Sequence, residues 1–204
     1  SADHKFRGTS DTEVFLEGCV TWGIRATVER LIGMFAFALW DRHERRLWLG
    51  RDRLGIKPLY YTQQGNLFLF GSELKALRAK DGWQAELDRD ALTAYLRFNY
   101  VPTPHSIYRH VHKLEAGTLI SVCPGHEPIS ERYWNLASVA MGARDINDEE
   151  EALEEGEALL RDAVKRRLVS DVPLGSLLSG GVDSSAIIAL MQAESGQPVK
   201  SFTV

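Results

Sequence analysis

The residues best placed to do chemistry lie in one run, Val172-Pro173-Leu174-Gly175-Ser176-Leu177-Leu178-Ser179-Gly180-Gly181-Val182-Asp183-Ser184-Ser185, followed by the apolar segment 186–191. Its pattern reads strand, loop, helix. A glycine pair at the end of a strand lets the backbone approach a ligand closely. The amides and hydroxyls that open the next helix point at the same spot, where the positive helix end favours an anion, usually phosphate. Asp183 suits such a site when a divalent cation stands between its carboxylate and the phosphates, so Mg²⁺ is expected with the nucleotide. The purely architectural use of these residues is a Gly-Gly turn, with Ser184 as cap and Asp183 as a favourable first-turn charge. No Gly-Lys-Ser/Thr of a Walker loop is present, which disfavours γ-phosphate transfer.

Other reactive types invite less. Arg51, Asp52 and Lys57 stand beside strand-like segments near a turn, where a structural ion-pair role is expected. Glu73 and Lys75 are expected at a domain contact. Cys19 and Cys123 are too few for a disulfide framework, form no CxxC or Cys/His cluster for a metal, and have no neighbouring base to activate them. Cys19 reads as packing. Free thiols fit a reducing cytosol, so a cytoplasmic protein is expected.

The elements that must position these residues follow from periodicity. Ser10-Asp11-Thr12-Glu13 reads as a capping box, Ser10 accepting from the Glu13 amide while Glu13 reaches back to the Ser10 amide. The helix it opens, to about Trp22, would bury Val14, Phe15, Gly18, Cys19 and Trp22 on one face. A short helix over 26–31 leads into the apolar run 33–40, a strand expected to be buried on both faces. Residues 34–50 form one hairpin; 59–62 and 67–70 form another around Gly65, and four strands in sequence argue for an antiparallel sheet. Helices are expected from Ser72 and over 88–98, and one strand over 117–122 among the prolines of 100–133. Residues 137–146 read as a linker. A capped helix follows from 147–150, with Leu153, Leu160, Val164 and Leu168 on one side and its acidic run 148–157 favourable near the N-terminus.

Composition narrows the class. Of 204 residues, 44% are hydrophobic and 25% charged, which excludes a disordered or collagen-like chain. The net charge of −4 offers no basic excess, so no nucleic-acid partner is expected. No apolar run has the roughly 20 residues of a membrane span, and residues 1–15 hold no signal-peptide core. There is no initiator Met, and the β-like run 199–204 stops without a polar tail, so both ends are expected to be cuts in a longer protein.

The string Ser-Gly-Gly-Val-Asp-Ser (179–184) after an apolar strand resembles the pyrophosphate loop of the ATP pyrophosphatases, which cleave ATP between the α and β phosphates. Upstream segments make the resemblance specific. Ser-Asp-Thr-Glu-Val (10–14), Gly-Met-Phe-Ala-Phe-Ala-Leu-Trp-Asp (33–41), Arg-Asp-Arg-Leu-Gly-Ile-Lys-Pro-Leu-Tyr-Tyr (51–61), Ser-Glu-Leu-Lys-Ala-Leu (72–77), Tyr-Val-Pro-Thr-Pro (100–104) and Lys-Leu-Glu-Ala-Gly (113–117) resemble, in order, the glutamine-hydrolysing asparagine synthetases. The resemblance implies two domains. Residues 1–140 would be the later portion of an α+β N-terminal-nucleophile amidohydrolase, a four-layer sandwich with two antiparallel sheets between helices. Residues 141–204 would begin an α/β ATP pyrophosphatase domain of the adenine nucleotide alpha hydrolase type. The implied reaction joins ammonia from glutamine to aspartate through β-aspartyl-AMP, with ATP and Mg²⁺ as cofactors.

By the same resemblance Asp11 would bind the glutamine α-ammonium, its architectural alternative being a first-turn charge. Leu177 would contact ATP, and Ser179, Gly180, Gly181, Asp183 and Ser184 would hold the pyrophosphate and its Mg²⁺. The nucleophilic Cys is expected upstream of this chain, many residues before the 10–13 box, and Ser1 does not replace it, so the fragment by itself is expected to be inactive. A homodimer is the assembly the family implies. Relatives that close β-lactam rings, cyclise peptides or amidate sugar acids keep the architecture and change the acceptor carboxylate. A nucleotide-binding module without chemistry is the reading from another class.

Overall fold

The computed structural model describes residues 5–203, in two compact units that divide between Met141 and Gly142. Ser1 and the last residue of the run 199–204 lie outside the described residues.

In the first unit, α1 (Asp11–Trp22) starts at an N-cap Ser10, but the cap is wired differently from a capping box. Ser10 Oγ accepts from the Thr12 amide at 3.2 Å. Glu13 reaches past Ser10 to the Arg7 and Gly8 amides, both at 2.8 Å, because the preceding chain loops over the first turn and brings those donors nearer. Helix α2 (Ile24–Arg30) begins two residues earlier than expected. Gly18 is required where the helices meet, since a Cβ there would lie 2.9 Å from Thr27 Cγ2. The buried stripe is narrower than five residues: Gly18 is buried and Phe15 packs inward, but Val14 and Trp22 remain more than half exposed.

Seven strands follow: β1 (Ala36–Asp41), β2 (Arg46–Arg51), β3 (Tyr60–Gln64), β4 (Leu67–Gly71), β5 (Val111–Lys113), β6 (Thr118–Val122) and β7 (Ile129–Arg132). Both expected hairpins form, with Ala36 opposite Arg51 and Tyr60 opposite Gly71, and Gly65 takes φ +60° in the second turn. They do not share a sheet. One sheet runs β1-β2-β6-β7 and the other β4-β3-β5, because residues 52–58 turn the chain out of the first before β3 begins. Strand β1 is an edge strand, and Trp40 is 50% exposed where burial on both faces was expected. The short strands β5 and β7, which periodicity does not reveal, are recruited by backbone pairing to β3 and β6.

Leu49, Leu59, Leu114 and Ile120 form a buried cluster to which Leu47 and Val122 of one sheet and Tyr61 and Phe68 of the other contribute. Alternation sends Leu119 to the opposite face, where it meets Val28, Tyr133, Phe15 and Phe37. Two helices, α3 (Leu74–Arg78) and α4 (Arg89–Phe98), follow β4, the second capped by Asp88, which accepts from the Asp90 and Ala91 amides. Helix α5 (Leu136–Met141) occupies the first half of the expected linker.

Arg51, Asp52 and Lys57 do have a structural role, but through the backbone instead of ion pairs. Arg51 donates to the Lys57, Leu114 and Gly55 carbonyls at 2.7, 2.6 and 2.6 Å. Asp52, 1% exposed, accepts from the Leu54, Ile56 and Lys57 amides. The turn between the hairpins is thus built around two adjacent side chains. Glu73 and Lys75 pair with each other at 2.6 Å on the surface.

The second unit contains α6 (Glu149–Arg167), β8 (Gly175–Leu177), α7 (Val182–Glu194) and β9 (Lys200–Phe202). Asp148 caps α6 through the Glu151 amide at 3.0 Å. On its expected apolar side Val164 is buried, while Leu153 and Leu160 stay exposed. Arg161 and Lys165 of α6 hold Glu194 at the end of α7 at 3.0 and 3.4 Å. Strands β8 and β9 pair in parallel, and Gly175 permits it, since a Cβ there would come within 2.6 Å of the Phe202 ring. Among the described residues no helix is long and apolar enough to cross a membrane.

Candidate nucleotide and glutamine sites

Residues 178–181 connect β8 to α7, giving the strand, loop and helix that the sequence implies. Leu177 ends β8 beside the loop and is 74% exposed. Gly180 adopts φ +80°, a left-handed conformation that side chains resist, and Gly181 is the N-cap of α7. The amides of residues 181–184 have no partner within the helix, as at any helix start, and form a cradle of donors at its positive end. The Ser179 and Ser184 hydroxyls meet at 3.1 Å. Asp183 stands exposed in the first turn of α7. All six residues expected to hold ATP therefore lie together on one turn of chain, where they can bind a polyanion by backbone, hydroxyl and, through a cation, carboxylate.

Asp11 lies in the first unit. It lines a groove of about 570 Å³ with Thr12, Phe15 and Leu16 of α1 and residues 31–40 ahead of and within β1. A carboxylate on a largely apolar wall is a natural partner for an ammonium group, while the position also complements the helix dipole. Both uses of Asp11 are compatible.

The thiols fall where a covalent role is not supported. Cys19 is half-buried on α1, and burial pushes its thiol up, against a smaller opposing effect of Thr27. Cys123 follows β6 and lines a cavity together with Pro124, His126 and Glu127. Sequence reasoning overlooked Ser185, whose hydroxyl donates to the Gly181 carbonyl at 2.8 Å. Its four-residue spacing from Gly181 within a helix was the available signal.

Residues 1–134 match the family model of the glutamine amidotransferase domain, and residues 155–204 match that of asparagine synthase. The chain is 36% identical over 206 residues to the glutamine-hydrolysing asparagine synthetase 3 of Bacillus subtilis (strain 168), covering 98% of this chain and 33% of that protein. It is 35% identical over 202 residues to asparagine synthetase 1 of the same organism, covering 98% and 31%. A solved glutamine phosphoribosylpyrophosphate amidotransferase from B. subtilis, complexed with ADP and GMP, aligns with 99% of this chain and 40% of its own. That alignment has 15% identity and a TM-score of 0.43, too loose a likeness to carry an assignment.

Residues 1–134, nearly the whole of the first unit, thus belong to the glutamine amidotransferase domain family. With an asparagine synthase segment following it, the chain belongs to the asparagine synthetase family. It spans about a third of the length of these relatives.

Proposed function

We propose that the chain is part of a glutamine-hydrolysing asparagine synthetase, an ATP-dependent carbon–nitrogen ligase. Residues 1–140 contribute the later portion of its four-layer glutaminase sandwich, and residues 141–204 open its ATP pyrophosphatase domain. In this reading ATP activates the aspartate side-chain carboxylate as β-aspartyl-AMP with loss of pyrophosphate, and ammonia then displaces AMP to give asparagine. The ammonia comes from glutamine, which a Cys elsewhere on the polypeptide attacks to form a thioester that water hydrolyses. Asp11 holds the glutamine α-ammonium.

The observation that carries the reading is the loop between β8 and α7, with its left-handed Gly180, N-cap Gly181 and facing Ser179 and Ser184 hydroxyls. The amides and hydroxyls of that loop bind the pyrophosphate part of ATP, and Leu177 contacts the nucleotide. The residues also fit Mg²⁺. Among the described residues no group of three His, Cys, Asp or Glu could hold a metal alone. One exposed carboxylate beside a phosphate cradle suits Mg²⁺, which is commonly held by one or two carboxylates together with substrate phosphates. Bound there, Mg²⁺ would supply neutralisation of the charge that builds on the departing pyrophosphate. Asp183 would hold it while Ser179 and Ser184 orient the phosphates. The substrates are glutamine, aspartate and ATP; a cytoplasmic homodimer is the assembly and location that accord with this reading.

The test is AMP and asparagine formation by the full-length protein given ATP, Mg²⁺ and aspartate, with glutamine and ammonia supplied in separate reactions. Asparagine from both nitrogen sources is expected. If neither source yields asparagine or AMP, the aspartate assignment fails, and other acceptor carboxylates become the candidates.

A further inference from the structure

We infer that Ser185 is a positioning residue for the nucleotide, acting through the Gly181 carbonyl; this rests on the ATP reading above. The carbonyl accepts from three donors: the Ser185 amide at 3.2 Å, the Ser185 hydroxyl at 2.8 Å and the Ser184 hydroxyl at 3.1 Å. A carbonyl oxygen offers two lone pairs, so one donor is surplus. The Ser184 hydroxyl has one proton and two acceptors within reach, the Gly181 carbonyl and the Ser179 hydroxyl, both at 3.1 Å. With either acceptor the Ser184 proton is turned onto the protein.

A phosphate in the loop needs that proton. Ser184 must turn its O–H away from its protein acceptor, which leaves the Gly181 carbonyl to Ser185. The exchange is cheap only if the carbonyl keeps its other partners, and the shorter Ser185 bond guarantees that. The same bond has a second effect. Because the peptide unit is planar, holding the Gly181 carbonyl into the helix directs the Val182 amide outward from the helix start, where the phosphate would lie. Ser185 thus frees Ser184 and fixes the amide without contacting the ligand.

The experiment is aspartate-dependent ATP–pyrophosphate exchange by the full-length protein and its S185A and S185T variants. Ala is the better helix former, so S185A should leave α7 intact and thermal stability unchanged. The KM for ATP in S185A is expected to rise about three- to tenfold, the scale of one hydrogen bond, with kcat within about twofold of the unsubstituted protein. Thr bonds the carbonyl four residues back in helices, so S185T should restore the KM. An unchanged KM in S185A, or an S185T no better than S185A, overturns the inference while exchange by the unsubstituted protein leaves the ATP reading standing. No exchange by the unsubstituted protein overturns the ATP reading and this inference together.

Discussion

Tyr133 donates its hydroxyl to the Arg51 carbonyl at 2.8 Å, joining residues 82 apart in the chain. Arg51 ends β2 and Tyr133 follows β7, so one bond ties the turn between the hairpins to the far side of the same sheet. The Tyr133→Phe variant should lose about 1–2 kcal/mol in urea unfolding, because a carbonyl loses its donor in a buried setting. Burial, then the Asp52 charge, pushes the phenol up to about 12 from its ordinary value of 10.0. A folded value above the unfolded one means that the contribution is fully present below pH 10 and is lost as pH rises toward 12. Unfolding midpoints across that window should fall less steeply in the Phe variant than in the parent.

Asp52→Asn replaces one of two carboxylate oxygens by an NH₂ group that cannot accept. In the parent, one Asp52 oxygen takes the Leu54 and Ile56 amides and the other takes Lys57. At least one buried amide loses its partner and the remaining bonds lose their charge, so a cost of about 2–4 kcal/mol is expected. Equilibrium denaturation measures it. A loss under about 0.5 kcal/mol would show that the turn does not depend on this carboxylate.

His112 links sheet stability to mild acid. It lies on β5, bridged to His105 and with its ring 5.6 Å from that of Tyr61 on β3. Burial, then the His105 and His110 charges, hold its pKa below the ordinary value of 6.5. Because the folded state favours neutral imidazole, the unfolded chain binds more protons below that value. Stability is therefore full above pH 6.5 and declines as pH falls through the depressed folded value. The His112→Gln variant should show a smaller drop in urea midpoint between about pH 7.5 and 5.5.

Asp11 and Asp183 should separate the two half-reactions. Asp11→Asn is expected to raise the KM for glutamine about 10- to 100-fold, the scale of a charged hydrogen bond, with ammonia-dependent asparagine formation unchanged. Asp183→Asn should lower AMP formation with either nitrogen source by about 100-fold or more, if it supports the Mg²⁺ that neutralises the leaving group. Equal loss with both nitrogen sources in the Asp11 variant would remove that residue from the glutamine site.

What the sequence determined by itself was local. The β8–α7 loop, both hairpins, the Gly65 turn, the helix over 88–98 and a cap within 147–150 were legible, because each depends on bonds within a few residues and on residue types suited to them. The family was legible for a related reason: short motifs in a set order survive wherever backbone geometry demands them. Tertiary structure decided what depends on distant partners. It assigned the two hairpins to different sheets through pairing with β6 and β5, whose energy appears only when segments more than 40 residues apart meet. It also placed β1 at an edge, recruited β5 and β7, and made Arg51 and Asp52 organisers of a turn instead of an ion pair. Periodicity reports which face of an element is apolar, but only packing decides which neighbour that face finds.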